Sequence, residues 1–178
     1  KDNPKAMATF ATKIIPLKFL NYNPEGKVRI RFSLMPQKLS SIFEPNTPKI
    51  IDRIKAVNAF IDAGYDVHLN FSPVIVYDEW LADYKYLFQM VNDYIDYKDQ
   101  VLAEVIFLTH NEKKHNDNLK NNLLGENLLW VPDSQEYKKS EYGGKNVRYQ
   151  RHLKSGYIEQ FKQLHNQCIP WNTIRYIF

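Results

Sequence analysis

The chain has 178 residues, 44% of them hydrophobic, and this length and composition are typical of one folded core rather than of a disordered or fibrous protein. Its 24 Lys and Arg residues against 20 Asp and Glu residues give a net charge of +4, which permits a polyanionic partner without requiring one. The one cysteine, Cys168, excludes an internal disulfide, and a single thiolate does not hold a structural zinc or an iron–sulfur cluster. Any such cofactor therefore needs ligands from elsewhere.

The sequence has no feature typical of a membrane or exported protein. No apolar run approaches the roughly 20 residues that span a bilayer, and the first residues lack the apolar region of a signal peptide. We therefore expect a cytoplasmic location and no membrane partner. The chain also begins without Met and enters a β-like run almost at once, so we expect it to be a fragment of a longer parent protein.

Four runs in which apolar residues alternate predict β-strands. They cover residues 7–13, 28–34, 65–72 and 101–108. In the second run Arg29, Arg31 and Ser33 alternate with apolar side chains, and the third run repeats this pattern. A parallel strand that is buried on both faces is more uniformly apolar, so one face of the sheet is expected to line water or a ligand cavity.

Helical periodicity separates the later strands. Thr47 and Pro48 are expected to begin a helix that Gly64 ends, with an apolar stripe made of Ile50, Ile54, Val57 and Ile61. Asp78 is the expected N-cap of the next helix, whose stripe predicts core packing and consists of Trp80, Tyr84, Leu87, Val91 and Tyr94. Asn111 is expected to cap a third, more polar helix.

Strands that alternate with helices form right-handed βαβ units, which build either a doubly wound sheet or a barrel. The polar face favours the barrel. We therefore predict an α/β fold that is part of an incomplete (β/α) TIM-like barrel, with residues 1–129 as its carboxy-terminal half. Half-exposed antiparallel strands are disfavoured because the crossovers are long and helical.

From Trp130 onward the character of the sequence changes. Arms that carry tyrosine and lysine flank Gly143 and Gly144, which predicts a β-hairpin. An amphipathic helix with Leu153, Tyr157, Phe161 and Leu164 on one side follows, and residues 173–178 predict a last strand. Residues 130–178 are therefore expected to pack on the barrel as a hairpin, a helix and a strand.

In α/β barrels the ligand lies at the carboxyl ends of the strands. The residues expected there are Lys13, Ser33, Ser72 and His110. Lysine and serine bind carboxylate, ribose or phosphate groups of a nucleotide-like ligand, with Lys13 as a point charge and the hydroxyl groups as hydrogen-bond partners. Each residue alone is more typical of a turn or a solvated surface, and their occurrence on successive strands favours the site.

Motifs of nucleophilic and metal catalysis are missing from the sequence. It contains no Gly-x-Ser-x-Gly, Gly-x-Gly-x-x-Gly, Walker or His-Glu-x-x-His motif. His110 and His115 lie on a polar segment and are expected to be exposed to solvent rather than to form a metal pair. We therefore predict no metal ligand and assign no catalytic residue.

The predicted hairpin is the candidate for contact with nucleic acid. Phosphates are expected to meet its basic residues, which are Lys138, Lys139, Lys145 and Arg148. Tyr142 and Tyr149 are expected to stack on bases or to wedge between them. Basic hairpins with tyrosines also occur as solvated, edge-protected strands, and that alternative stays open.

Six strings occur in an order known from one protein family. They are Phe10-Ala11-Thr12-Lys13, Arg31-Phe32-Ser33-Leu34, Phe43-Glu44-Pro45-Asn46-Thr47, Ala63-Gly64-Tyr65, Ser72-Pro73-Val74-Ile75-Val76-Tyr77-Asp78-Glu79-Trp80 and Tyr142-Gly143-Gly144-Lys145. Over nearly its whole length the chain thus resembles spore photoproduct lyase and its relatives, which are radical S-adenosylmethionine (SAM) enzymes. The resemblance implies a partial barrel of the radical SAM type.

The resemblance also implies a function and its cofactors. SAM would lie across the strand ends near Lys13, Ser33 and Ser72, and the enzyme would carry out radical repair of a thymine-dimer lesion in DNA that the hairpin helps to open. A 4Fe–4S cluster would be held by a Cys-x-x-x-Cys-x-x-Cys loop in a missing amino-terminal half. The cysteine that donates the hydrogen atom would also lie in that half, so Cys168 is expected to be an ordinary cysteine. The alternative is a nucleic-acid-binding module without radical chemistry.

Overall fold

A parallel sheet is the centre of the computed structural model, which describes residues 6–139 and 144–178. Its strands are β1 (Ala8–Thr12), β2 (Val28–Ser33), β3 (Asp66–Val74), β4 (Leu102–Phe107) and β8 (Thr173–Ile177). They lie in the order β1-β2-β3-β4-β8, and every neighbouring pair is parallel. The four strands predicted from alternation and the predicted last strand are therefore confirmed.

The sheet is open, with β1 at one edge and β8 at the other. Within the described residues no further strand joins these two edges, so the predicted part of an incomplete barrel is confirmed in the form of an open sheet. The boundary between residues 129 and 130 stays a prediction. The last strand enters the main sheet beside β4.

Helices alternate with the strands along the chain. They are α1 (Gln37–Phe43), α2 (Ile50–Asp62), α3 (Trp80–Tyr94), α4 (Glu112–Lys120), α5 (Glu126–Leu129) and α6 (Arg151–Cys168). The predicted helices α2, α3, α4 and α6 are confirmed, whereas α1 and α5 have 7 and 4 residues and are too short to show a helical period. In the described part of the chain, none of the helices has the length and apolar character needed to cross a membrane.

Two predicted helix starts are wrong. Helix α2 begins at Ile50, whose N–H group donates to the side-chain oxygen of Gln37 at 2.8 Å, so a residue of α1 caps it. The Thr47 hydroxyl instead donates to the backbone oxygen of Glu44 at 2.6 Å. Helix α3 begins two residues after Asp78 and has no side-chain cap, whereas Asn111 caps α4 as predicted.

The apolar face of the sheet is buried under α2, α3 and α6. At its centre, the Phe71 ring of β3 lies edge to face with Phe88 of α3 and Phe161 of α6, at centroid distances of 5.4 and 5.9 Å. All three rings are fully buried. Because burial of a phenylalanine side chain contributes roughly 1.5–3 kcal/mol, this aromatic cluster holds α3 and α6 against the sheet.

A small antiparallel sheet continues from the carboxyl end of β4. Its strands are β5 (Thr109–Asn111), β6 (Gln135–Lys139) and β7 (Lys145–Tyr149), in the order β5-β7-β6. The predicted hairpin is confirmed by the antiparallel register of β6 and β7, and its tip, including Tyr142, lies outside the described residues. Only Leu108 separates β4 from β5, so the hairpin lies beside the strand ends of the main sheet.

The opposite face of the main sheet is polar, and its centre is the Glu104 carboxylate of β4. This side chain is 1% exposed and accepts hydrogen bonds from Arg31 at 3.1 Å and from the Tyr176 hydroxyl at 2.5 Å. A His68 ring nitrogen lies 3.0 Å from its other oxygen. Burial alone would raise the pKa of Glu104, but these hydrogen bonds outweigh burial and lower the pKa to about 2.

A buried ion pair joins α2 to the loop that follows α1. The guanidinium of Arg53 is 0% exposed and donates to the Glu44 carboxylate at 2.7 Å, and that side chain is 1% exposed. Arg53 also donates to the backbone oxygens of Ser33 at 2.9 Å and Pro48 at 3.1 Å, and to the Thr47 hydroxyl at 2.6 Å. The loop and the carboxyl end of β2 are therefore held by one side chain.

We expect Arg53→Met to lower the free energy of unfolding of this chain by about 3–5 kcal/mol, because it leaves the buried Glu44 charge without its buried partner and with only the half-exposed Lys13 beside it. Urea denaturation measures this change. Lys38→Met is the matched control, since the Lys38–Glu79 ion pair is 59% and 71% exposed and its loss is expected to cost less than about 1 kcal/mol. Equal losses in the two variants would contradict the importance of the buried pair.

The lowered pKa of Glu104 predicts an acid-sensitive stability. A carboxyl group whose pKa falls on folding stabilises the folded state above its ordinary value of 4.5, and this contribution is lost as the pH falls towards about 2. We therefore expect Glu104→Gln to flatten the dependence of the unfolding free energy on pH between 4.5 and 2, measured by urea denaturation at each pH. Glu159→Gln, at an exposed position of α6, should keep the wild-type slope.

Candidate functional site

A cavity of about 460 Å³ lies at the carboxyl ends of the parallel strands. Lys13 follows β1, Met35 follows β2, Pro73 and Ile75 lie at the end of β3, and Leu108 follows β4, and all five residues line the cavity. Because parallel strands end at the same edge of a sheet, residues far apart in sequence meet here. The volume is within the range of about 300–1,000 Å³ that is typical of small-molecule sites.

Lys13 stands at the wall of this cavity and is oriented by an ion pair. Its ammonium lies 3.0 Å from one carboxylate oxygen of Glu44, while Arg53 binds the other. The Lys13 side chain is 48% exposed, so its charge is available to a ligand, whereas Glu44 is buried. The Phe-Glu-Pro-Asn-Thr string therefore has a physical role that the sequence did not reveal, since it positions the cation of the cavity.

Ser33 lies on the polar face of the sheet, at the end of β2, and is not among the described residues that line the cavity. Its register partner on β3 is Asn70, whose amide lies 3.4 Å from the Ser33 hydroxyl. Asn70 is buried, and its side-chain oxygen has no hydrogen-bond partner within the described part of the chain. The buried Nε atom of Arg31 has none there either.

These unpaired atoms test whether the site fits SAM. Buried polar atoms are nearly always hydrogen-bonded, so an unpaired acceptor on Asn70 and an unpaired donor on Arg31 mark a polar surface suited to a ligand. Together with the cavity and the Lys13 charge, they match a ligand that carries ribose hydroxyl and carboxylate groups. Lys13, Asn70 and Arg31 thus supply a charge, an acceptor and a donor of the types that a nucleoside-type cofactor such as SAM would need, and of these three residues Lys13 lines the cavity.

The third residue predicted to bind SAM, Ser72, lies in an irregular part of β3. The register between β3 and β4 shifts between Phe71 and Val74. Ser72 is half-buried and does not belong to the described lining of the cavity, although the next residue, Pro73, does. The structure therefore brings Lys13 to the cavity and keeps Ser33 and Ser72 nearby on the sheet.

A 4Fe–4S cluster does not fit the residues of this chain. Such a cluster is held by several thiolates, and the sequence has one cysteine. Cys168 is half-buried at the end of α6, which leads into the amino end of β8. Cys168 therefore lies near the amino ends of the strands, away from the carboxyl ends where the cavity is.

His110, His115 and Glu126 form a cluster beside the cavity, and the prediction that both histidines are exposed to solvent is wrong. His110 is 8% exposed, and His115 is half-buried and stacks on Trp130 at a centroid distance of 4.2 Å. A nitrogen of each ring lies within 2.8 Å of the same oxygen of Glu126. The reason is that α5 returns to the end of β5, a contact that the polar sequence of α4 does not reveal.

Glu126 is a buried acidic residue that sequence reasoning missed. Burial would raise its pKa, but hydrogen bonds from Asn118, His115 and His110 outweigh burial and hold the pKa of Glu126 below its ordinary value. The available signal was Gly125, which adopts a left-handed conformation with φ of 80° directly before α5. A Cβ atom there would lie 2.7 Å from a methyl carbon of Ile42, so only glycine allows this approach.

One face of the hairpin carries a cluster of positive charge. Lys138 is exposed on β6, and Arg148 on β7 pairs with Glu136 at 2.9 Å. Lys154 of α6 is close to both cations, and burial together with the charges of Arg148 and Lys138 lowers its pKa. Burial is the largest cause, the two cations add to it and Glu136 opposes it, so Lys154 belongs to the same group of cations and is a member that sequence reasoning missed.

Two other predicted DNA contacts differ in their environment. Lys145 is 70% exposed and lies 3.9 Å from Glu112. The prediction that Tyr149 stacks on bases is wrong for this structure, because its side chain is 2% exposed and its hydroxyl accepts a hydrogen bond from the Val76 N–H group at 2.8 Å. Among the described residues of the hairpin, Tyr137 is the exposed aromatic residue, at 67% exposure.

Lys139 pairs with Lys145 in the backbone register of the hairpin. The remaining predicted contact, Tyr142, falls outside the part of the chain that the structure describes. Contacts of the hairpin with DNA therefore stay predictions for Lys138, Lys139, Tyr142, Lys145 and Arg148.

Comparison with known proteins gives a consistent result. A relative, Spore photoproduct lyase of Bacillus subtilis (strain 168), is 24% identical over 160 residues, which cover 88% of this chain and 46% of that protein. A solved spore photoproduct lyase mutant with 20% identity has a TM-score of 0.88 and covers 99% of this chain and 52% of its own. Another, with bound AdoMet and dinucleoside spore photoproduct, has 20% identity, a TM-score of 0.85 and coverages of 97% and 51%.

At these identities the solved structures show that the fold is shared. The chain spans about half the length of the relatives it matches. The family model described as spore photoproduct lyase matches residues 2–178. Since this match includes nearly every residue, the chain belongs to the spore photoproduct lyase family.

Proposed function

We propose that this chain is the carboxy-terminal part of a radical SAM enzyme that repairs a pyrimidine lesion in DNA, with spore photoproduct as the model for that lesion. The observation that supports this most directly is the cavity at the strand ends, with Lys13 oriented by Glu44 at its wall. A protein of the same fold holds AdoMet and dinucleoside spore photoproduct. Because this chain belongs to the same family, we assign its cavity to the same kind of ligand.

In this proposal the residues of the chain bind and orient SAM. Lys13 supplies a positive charge for the carboxylate of SAM, and Glu44 keeps that ammonium from turning into solvent. Ser33 and Asn70 offer a hydroxyl and an unpaired amide oxygen to the ribose hydroxyl groups. Bound SAM supplies the radical chemistry, whose reducing cluster is assigned to a Cys-x-x-x-Cys-x-x-Cys loop outside these 178 residues.

The basic face of the hairpin is assigned to the phosphates of DNA. Lys138 and Arg148 are close enough to Lys154 to contribute to its lowered pKa, and a phosphate would relieve the repulsion among the three cations. Exposed Tyr137 is available for stacking, whereas Tyr149 supports the hairpin from below through its hydrogen bond to Val76. This division separates residues that bind DNA from residues that hold the binding surface in place.

The enzyme function is tested with the chain joined to or co-expressed with its amino-terminal half. After anaerobic reconstitution of the cluster, addition of SAM and a reductant should yield 5′-deoxyadenosine. DNA that contains the lesion should be repaired in the same mixture. Cluster reconstitution without any 5′-deoxyadenosine would defeat the enzyme proposal and favour a nucleic-acid-binding module.

In that reconstituted enzyme, Lys13→Met should weaken SAM binding by about 10–100-fold, because a hydrogen bond to a charged group contributes about 1.5–3 kcal/mol. Methionine keeps the apolar stem and removes the charge. Equilibrium binding of SAM measures the effect, and Lys38→Met is the control because that lysine is exposed and outside the described cavity lining. Equal SAM affinity in the two variants would remove Lys13 from the site.

For DNA, the triple variant Lys138→Ala, Arg148→Ala and Lys154→Ala should bind a duplex more weakly and with a smaller dependence on salt. Each lost phosphate contact should reduce the slope of log K against log salt concentration by about 0.9. Fluorescence anisotropy over a salt series measures the slope. The control, Lys55→Ala with Lys85→Ala, changes exposed lysines of α2 and α3, and an equal reduction there would contradict the assignment to the hairpin.

A further inference from the structure

Three metal-binding side chains converge beside the cavity on separate elements. One ring nitrogen of His110, one ring nitrogen of His115 and one carboxylate oxygen of Glu126 all lie within 4.8 Å of one another. The two nitrogens are 2.8 and 2.6 Å from that oxygen. Both His110 and Glu126 are buried, at 8% and 5% exposure, so this is not a chance meeting of solvated side chains.

Neighbouring residues hold each of these side chains in place. His110 belongs to β5 and pairs with Val147 of β7, and the His115 ring stacks on Trp130 at an interplanar angle of 12°. The second oxygen of Glu126 accepts a hydrogen bond from the Asn118 amide at 2.5 Å. Metal ligands in proteins are commonly oriented by such outer partners, which reduce the cost of assembling the site.

The three ligand atoms also have a spacing close to that of ligands around one metal ion. Both imidazoles approach the same Glu126 oxygen, and Asn118 is the described donor to the second oxygen. Two ligands on a tetrahedral Zn²⁺ lie about 3.3 Å apart, given metal–ligand bonds of about 2.0–2.2 Å. The two observed nitrogen–oxygen distances, 2.8 and 2.6 Å, are about 0.5–0.7 Å shorter than this spacing, so small movements of the side chains would bring the atoms to it.

We propose that His110, His115 and Glu126 bind one divalent transition-metal ion, for which Zn²⁺ is the best match. Two imidazole nitrogens with one carboxylate suit Zn²⁺ and its neighbours, whereas Mg²⁺ and Ca²⁺ prefer oxygen ligands throughout. His110 and Glu126 also line the cavity, so a coordination position of the ion faces it. That position would take water or an anionic oxygen of the cavity's ligand.

The first test uses the wild-type chain after removal of metal with a chelator. Titration with Zn²⁺ against a chromophoric competitor should show one equivalent bound, and Co²⁺ should give the visible absorption bands of a four- or five-coordinate site. Mg²⁺ should not compete. Absence of a stoichiometric Zn²⁺ site, or equal competition by Mg²⁺, would overturn the proposal.

Variants then assign the ligands. His115→Ala and Glu126→Gln should each weaken Zn²⁺ binding by more than about 100-fold, since loss of even an outer partner costs about 10–100-fold. His152→Ala, at an exposed position of α6, should bind Zn²⁺ like the wild type. Unchanged affinity in folded His115→Ala and Glu126→Gln proteins would place the ion elsewhere and refute the assignment.

A readout without substitutions covers the case in which the variants do not fold. In the wild-type chain, Co²⁺ should shift the imidazole resonances of His110 and His115 strongly and those of His152 little. Shifts confined to His152 would refute the site. Neither SAM nor DNA is present, so the outcome does not depend on the proposed enzyme function.

Discussion

The ion pair between Arg53 and Glu44 connects the inside of the fold to the cavity at the strand ends. Two opposite charges are taken out of water there, and a pair of this kind is retained only when its remaining donors and acceptors are satisfied. Arg53 meets this condition through the backbone oxygens of Ser33 and Pro48 and the Thr47 hydroxyl. The other oxygen of Glu44 is then free to orient Lys13. The cation of the cavity is thus placed by an interaction that lies beneath it.

On the polar face of the sheet, some buried groups find hydrogen-bond partners within the described part of this chain, and others do not. Glu104 is surrounded by Arg31, His68 and Tyr176, which makes this carboxylate a rigid internal anchor with a low pKa. Closer to the strand ends, Asn70 keeps an unpaired buried oxygen beside Ser33. An unpaired buried acceptor is costly, so this part of the face is suited to a polar ligand.

Beside the cavity, the short β5 strand connects the main sheet to the small antiparallel sheet. It extends the chain directly from β4 into the small sheet, and so it places His110 against Glu126 of α5. The hairpin formed by β6 and β7 pairs with the same strand through β7. The cavity, the His110–His115–Glu126 cluster and the hairpin therefore lie next to one another at the carboxyl ends of the strands.

Predictions from sequence succeeded where a local period decides the structure and failed where a distant partner competes. Threonine is a residue type that often caps helices, but Arg53 donates a hydrogen bond to the Thr47 hydroxyl, and Gln37 caps α2 instead. Tyr149 is of a residue type that stacks on bases, yet its position at the end of β7, the central strand of the small sheet, buries it in the core. The histidines lie on a polar segment, and only the return of α5 buries His110.

The sequence by itself determined the strands, the main helices, their parallel arrangement and the polar phase of the sheet, because side-chain alternation and helical spacing are local properties of the chain. It also indicated the family, through strings such as Phe43-Glu44-Pro45-Asn46-Thr47. The tertiary structure alone decided which polar residues meet. Strand register and the return of loops, which no local pattern encodes, set three such pairs. They are Ser33 with Asn70, Lys13 with Glu44, and His110 with Glu126.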